Sequence, residues 1–382
     1  MKLSKRGSVE CSIEIISKAA RKADSKGVDL IRMETGVPQA LAPKAAIDKV
    51  FNQVTFPKGY TETAGIEPLR QRIAKMYRDS YSLDIYPDRI LLTMGASSAF
   101  FIAFDSLFDV GAKVAVPLPC YGGYLDVLKC LGLDVQYFNP SQESQFQPTI
   151  ADLEKLGDID GLLLTTPGNP TGSMLKPAEL KEIVLWCVKK DVTLIVDEIY
   201  HHVTYGNVEM QSALAYSDNI VVLNSFSKYY AMPGWRLGWM VLPPNIVEDV
   251  IKLTHSLFIC APNIAQHVAL NVMDHNKELD QHVKRYKANR DMLLEEMPKA
   301  GFDRFTRMDG AFYMYAHIKH LHGSAMDFCK QLIEKCGVVS LPGTSFDPIN
   351  GDEYIRFSYA GSTENIKEAC KRLQKANMHN IE

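Results

Sequence analysis

The feature that most constrains this chain is a repeated alternation in its middle. Short β-branched runs at 89–93, 113–117, 135–138, 161–165, 193–197, 220–224 and 237–241 are separated by longer helical patterns such as 96–108, 122–131 and 177–190. The last helix has Pro177 at its start and Leu180, Val184, Leu185 and Val188 along one side, the spacing of a helix that covers a sheet. Strand–helix alternation builds parallel pairs, because each crossover needs a helix laid on a face. The predicted fold is α/β, with a mostly parallel central sheet flanked by helices. The ends read differently. A helical pattern at 12–26 stops at Gly27 and is followed by a strand-like 29–34; after a polar helix at 277–299 come strand-like 311–318, 338–341 and 354–359, with helices at 324–335 and 363–377. This predicts a smaller α+β domain made from both chain ends, residues 1–45 and 286–382. The large domain is then residues 46–285, with the 277–299 helix as the connector.

Composition excludes several other classes. A chain of 382 residues can bury roughly three quarters of the surface its unfolded form exposes, so it needs no staples. Its 42 Lys+Arg against 45 Asp+Glu give a net charge of -3, which argues against nucleic acid or an anionic membrane as a partner held by bulk charge. Eight cysteines are scattered with no Cys-x-x-Cys pair, and the basic start runs into Glu10 and Glu14 rather than an apolar segment. The expected location is therefore cytoplasmic, with reduced thiols. The greasiest stretch, 90–108, is broken by Thr93, Gly95, Ser97, Ser98 and Asp105, so no membrane span is expected.

In open parallel sheets, ligands gather at the carboxyl ends of the strands. The residues just past each predicted strand are therefore the candidates. Gly95, Ala96 and Ser97 open a helix after 89–93, where free backbone N–H groups and hydroxyls can cradle an anion. Tyr121 follows 113–117, and Pro167-Gly168-Asn169-Pro170-Thr171-Gly172 follows 161–165. Asp197 ends 193–197, with Tyr200 three residues on. Ser225, Ser227 and Lys228 follow 220–224, and Arg236 lies eight residues beyond that lysine. Each is ordinary alone, as a cap, a turn or a solvated charge. Together they place an anion cradle, an aromatic plate, an amide, a carboxylate, a phenol, a lysine and an arginine at one sheet edge. That set suits a phosphorylated aromatic aldehyde held covalently by the lysine.

Ser225-Phe226-Ser227-Lys228 with Pro233-Gly234-Trp235-Arg236-Leu237-Gly238 resembles the lysine motif of class I/II aminotransferases, fold type I enzymes that use pyridoxal 5'-phosphate (PLP). The Asn169 turn and its spacings to Asp197 and Tyr200 are similar to that family, and the resemblance covers nearly the whole chain. Lys58-Gly59-Tyr60, with Gly65 and Pro68-Leu69-Arg70, resembles the segment that crosses to a neighbouring subunit, and Arg356 resembles the late carboxylate-binding arginine.

The resemblance implies catalytic roles for Lys228, as Schiff-base former and proton carrier, Asp197, at the pyridine nitrogen, and Tyr200, at the phenolic oxygen. It implies a phosphate cup from Gly95, Ala96, Ser97, Ser225, Ser227, Arg236 and a partner's Tyr60. Tyr121 would lie on the ring and Asn169 on its oxygen, and Arg356, Asn169 and Gly36 would hold the substrate carboxylate. Lys228 must be neutral to attack, and Arg236 with partial burial is the expected cause. Where the family often has Gly-Glu-Pro, this chain has Gly36-Val37-Pro38.

The implied reaction is a ping-pong exchange between an amino acid and a 2-oxo acid, in a homodimer with shared sites. A PLP-dependent carbon–sulfur β-lyase on the same scaffold is the alternative, and a non-catalytic binding protein is a third. No metal is expected: His317, His320 and His322 have a usable spacing but no cysteine or carboxylate cluster beside them in sequence. Dicarboxylate-specific members carry a second arginine before the helix that here begins near Pro262, and residues 254–261 contain none, only His255. A distal carboxylate buried there without a cation would cost roughly several kcal/mol. Tyr121, Tyr124, Tyr205, Trp235 and Phe258 are the expected pocket aromatics, so the expected donor is neutral or aromatic. A cation from 37–40 or 2–6 would change that expectation.

Overall fold

The computed structural model describes residue 4 and residues 12–52, 59–321 and 323–376. Lys2, Lys5, Arg6, Lys58 and His322 lie outside the described residues. The strands in chain order are β1 (Ile31–Arg32), β2 (Ile90–Thr93), β3 (Lys113–Pro117), β4 (Asp134–Phe138), β5 (Gly161–Thr165), β6 (Thr193–Asp197), β7 (Val221–Ser225), β8 (Gly238–Val241), β9 (Tyr313–His317), β10 (Val338–Val339), β11 (Leu341–Pro342) and β12 (Tyr354–Ser358). Seven of them form one sheet in the order β2-β8-β7-β6-β5-β3-β4, parallel except for β8, which runs against both its neighbours. The chain thus has the α/β architecture that the alternation predicts.

Period-2 geometry explains why the inner strands β5, β6 and β7 are apolar along most of their length. Successive side chains point to opposite faces, and both faces are covered. Leu162, Leu164, Val196 and Val222 pack into one core, under helices Pro177–Lys190 and Glu67–Tyr81. Leu163, Ile195, Val221 and Leu223 pack into the other, under helices Ala96–Leu107 and Gly122–Leu131. Each such side chain contributes about 1.5–3 kcal/mol by leaving water. Pro177–Lys190 shows the local logic: Pro177 starts it, the Glu179 side chain accepts the Lys176 N–H at 2.8 Å, and Asp191 ends it at φ 57°.

The chain ends build smaller sheets. β9, β12 and β11 pair antiparallel, and β1 pairs parallel with β10. Three predicted strands are cut down, 311–318 to Tyr313–His317 among them. Of 29–34 only Ile31–Arg32 pairs, and 338–341 divides at Ser340, with β10 joining β1 and β11 joining β12. The long helix Asn276–Glu296 stops short of the predicted Lys299: Met297 keeps helical backbone, but Pro298 has no N–H to continue the ladder, and Pro298–Ala300 form a tighter 3-10 turn. Helices Glu67–Tyr81 and Val247–Phe258 go beyond the predicted elements, and the second absorbs His255. Among the described residues, no helix is long and apolar enough to cross a membrane.

Candidate active site

The carboxyl ends of β5, β6 and β7 open into a cleft of about 450 Å³, closed on the other side by the segment after β1 and by β12. Lys228, three residues past β7, donates from Nζ to the Gly36 carbonyl at 2.6 Å. Its ammonium is pushed down to about 8, first by burial and then by Arg356, with Asp197 opposing and Arg236 acting least. The neighbouring cation named from sequence, Arg236, is therefore not the main cause.

Asp197 closes β6 with 2% exposure. Its Oδ2 accepts the Tyr124 hydroxyl at 2.5 Å and its Oδ1 the Ile199 N–H at 2.9 Å. Burial still pushes its carboxyl up to about 6. A cation placed against it would bring that value down again.

Arg356, on β12, is buried and faces Asn169. Its Nη1 donates to Asn169 Oδ1 at 2.8 Å and its Nη2 to the Glu34 carbonyl at 2.6 Å, whereas its buried Nε has no partner. The guanidinium lies 4.3 Å over the Tyr313 ring and 4.6 Å from the Phe346 ring. A buried cation with an unused donor is costly unless an anion completes it. The Tyr200 hydroxyl sits 2.7 Å from the Tyr313 hydroxyl. Gly36 is required beside them, since a Cβ there would come within 2.3 Å of the Tyr313 hydroxyl.

At the start of helix Ala96–Leu107, Ala96 and Ser97 line the cleft with first-turn N–H groups that have no helical partner of their own. Gly95 precedes them at φ 78°, and a Cβ on it would meet Arg236 Nη2 at 2.7 Å. A small side chain there would therefore push the arginine off the cradle. Ser227 lines the cleft, whereas the Ser225 hydroxyl lies behind it, bonded to Ser227 Oγ at 2.9 Å and to the Leu237 carbonyl at 3.0 Å. Tyr121 stands at the mouth, 37% exposed, its ring edge-on to Phe100 and Tyr124. Tyr60 does not reach the cleft; it is 77% exposed on another face.

Several expectations need correction. Tyr205 is buried beneath Arg290, Trp235 packs on Phe51 and Phe258 on Phe101, so none of the three lines the cleft. His255 lies outside it, 3.0 Å from the Thr63 hydroxyl. His201 is a support: its Nδ1 is 2.7 Å from the Tyr81 hydroxyl, and burial holds it neutral, with its pKa near 3. The rings of His317 and His320 stack at 5.8 Å, and among the described residues no group of three or more His, Cys, Asp or Glu is placed to hold a metal.

Sequence reasoning missed Tyr313 and, as the partner of Asp197, Tyr124. Tyr124 had a signal: it falls three residues after Tyr121 at a helix start, on the same face. Tyr313 had none, since an aromatic in a short strand reads as core.

Comparison with known proteins identifies the family. The profile of the aminotransferase class I and II family matches residues 29–373. The chain is 37% identical over 367 residues to the valine–pyruvate aminotransferase of Mycobacterium tuberculosis, covering 93% of this chain and 92% of that protein. It is 31% identical to an aspartate aminotransferase of Thermotoga maritima, covering 93% of each. A crystal structure of an aminotransferase from Mycobacterium tuberculosis superposes with a TM-score of 0.94 at 35% identity, over 99% of both chains. A match that spans the sheet, the lysine turn and the late arginine together makes this chain a member of the class I and II aminotransferases, PLP-dependent transferases of fold type I.

Proposed function

We propose that the enzyme exchanges an amino group between a neutral or aromatic amino acid and a 2-oxo acid by a ping-pong mechanism. One observation carries the reading: a lysine shifted toward neutrality and a buried arginine with an unused donor face the same cleft. The residues fit the family's cofactor. Ala96, Ser97, Ser227 and Arg236 would hold its phosphate, with Gly95 keeping the cradle open and Ser225 bracing Ser227. Asp197 would pair with its ring nitrogen, Tyr200 and Asn169 Nδ2 with its ring oxygen, and Tyr121 would cover its face. When bound, the cofactor supplies an aldehyde for the amino group and a ring that draws electrons from the substrate Cα.

The chain's own residues do the rest. Arg356 takes the substrate α-carboxylate through Nε and a terminal nitrogen, a fork a lysine cannot supply. Asn169 Oδ1, bonded to Nη1, holds that fork in place. Lys228 Nζ then takes the Cα proton of the donor and, in the return half, delivers one to the Cα of the 2-oxo acid. Because one clamp serves both substrates, the first product must leave before the second enters. The division into residues 46–285 and residues 1–45 with 286–382 fits this arrangement, with Lys228 on the first part and Gly36 and Arg356 on the second.

The direct test uses the cofactor-loaded enzyme and an amino donor alone. One equivalent of 2-oxo acid per site should appear with a change in the visible band, and adding a 2-oxo acid should reverse the change. Pyruvate and ammonia from a cysteine thioether, with no half-reaction, would instead establish the β-lyase. Across a donor panel, alanine, methionine or phenylalanine should exceed aspartate in kcat/KM; a tenfold lead for aspartate contradicts the donor class.

Assembly follows from Tyr60. Its exposed phenol would complete a neighbour's phosphate cup, making the active unit a twofold dimer. Tyr60→Phe should weaken cofactor retention by about tenfold, the cost of one hydrogen bond to a charged group. Sedimentation that finds a fully active monomer would exclude this arrangement.

A further inference from the structure

The described residues that line the cleft include four basic side chains: Arg32, Lys228, Arg236 and Arg356. The proposed function uses three of them. Arg32, on β1, remains, and it is the cation that the 254–261 segment lacks. It is not free. Its Nε donates to Glu34 Oε1 at 2.5 Å and its Nη2 bridges the same oxygen. The Arg32 side chain is 41% exposed, whereas that of Glu34 is 3% exposed, and Glu34 Oε2 is buried with no partner. Glu34 also reaches the carboxylate clamp, because its main-chain carbonyl accepts from Arg356 Nη2. One residue therefore ties the spare cation to the place where a substrate's α-carboxylate would bind. The wall of the cleft also includes the apolar Ile13, Val37, Leu341 and Phe346, with the uncharged Ser17 and Thr35.

We propose that Glu34 determines donor choice by holding Arg32 in an ion pair and so withholding it from acidic side chains. An acidic donor anchored at Arg356 would bring its distal carboxylate toward this wall. To bind it, Arg32 must leave Glu34. That would strand a buried carboxylate whose other oxygen already lacks a partner, and uncompensated buried charge is among the costliest states a protein can adopt. A donor with an uncharged side chain asks for no such exchange. The ion pair thus acts by rejection, in the way specificity is often built from a penalty on the wrong ligand. The inference rests on the aminotransferase reading and narrows its substrate class.

The test compares cofactor-loaded wild type with Glu34→Gln, Arg32→Gln and the double variant, scoring kcat/KM for aspartate over that for alanine. Alanine has no distal group and reports damage to the clamp itself. Glu34→Gln keeps the shape but frees a cation, and the ratio should rise about tenfold or more, the worth of one charge-assisted contact. The double variant should return to the wild-type ratio, because the freed cation is gone. A second readout needs no turnover: on borohydride-reduced protein, succinate should bind Glu34→Gln about tenfold tighter than wild type, with butyrate unchanged within about twofold. A ratio that stays within about twofold in Glu34→Gln, or a gain that survives in the double variant, overturns the proposal. Wild type that makes no 2-oxo acid from any donor, while Glu34→Gln still gains succinate affinity as stated, would instead fault the aminotransferase reading and leave the ion-pair filter standing.

Discussion

Lys228→Ala is expected to lower turnover by about four orders of magnitude or more, because one side chain supplies both the covalent amine and the proton carrier. The two losses are not separable by this variant, so the fall should exceed that of any other single substitution in the cleft. Cofactor binding should survive, since the cradle at Ala96 and Ser97, Arg236 and Asp197 are untouched. The check has two parts. Single-turnover formation of a 2-oxo acid should be nearly abolished, and borohydride followed by unfolding should leave wild type, but not the variant, carrying the cofactor mass. Near-normal turnover in the variant would refute the assignment of the site.

Asp197→Asn should be the second largest effect, a fall in kcat of about a hundredfold to a thousandfold, as for loss of one oriented electrostatic group. The amide keeps the size of the side chain: its oxygen can still accept the Ile199 N–H, and its NH2 can donate to the Tyr124 hydroxyl, which turns to accept, so the fold should hold. What it lacks is the charge that would keep a facing ring nitrogen protonated. Burial pushes the Asp197 carboxyl up to about 6 even with Lys228 drawing it down, so a positive partner placed directly against it is what would secure its charge near neutral pH. Loss should therefore fall on kcat and cofactor affinity, with the KM of alanine little changed because Arg356 is intact. An equal loss confined to KM would mean that Asp197 serves substrate binding.

The large sheet was readable because its strands obey local rules. Residues 113–117, 161–165 and 193–197 are apolar runs closed by turn or helix signals, and the structure gives them the same bounds. The helix Pro177–Lys190 carries its start, its covering face and its stop in its own residues. Where pairing partners decide, local pattern fails. Nothing in 338–341 says that the chain changes sheets at Ser340, and nothing in 29–34 says that only two residues find a partner. The site divides in the same way. Lys228 and Asn169 follow strands, Asp197 closes one and Arg356 lies within one, all at spacings a reader can recognise. Arg32 and Glu34 look like ordinary surface charges until the segment after β1 is placed beside β12, and Tyr313 gains meaning only from the Tyr200 hydroxyl 2.7 Å away.

The pairing map also dictates an order of assembly. β2, whose Ile90, Leu91 and Leu92 are wholly buried, touches the sheet only through β8, with Ile90 set against Val241. A nascent chain must therefore expose that greasy edge for some 150 residues of synthesis before its partner emerges. The delay is longer for β1, since Ile31 waits for Val338. Gly36 and Glu34 follow β1, and Arg356 comes later still. The half of the cleft built on β5, β6 and β7 can thus be shaped during synthesis well before the half that carries Arg356, which would grip the substrate.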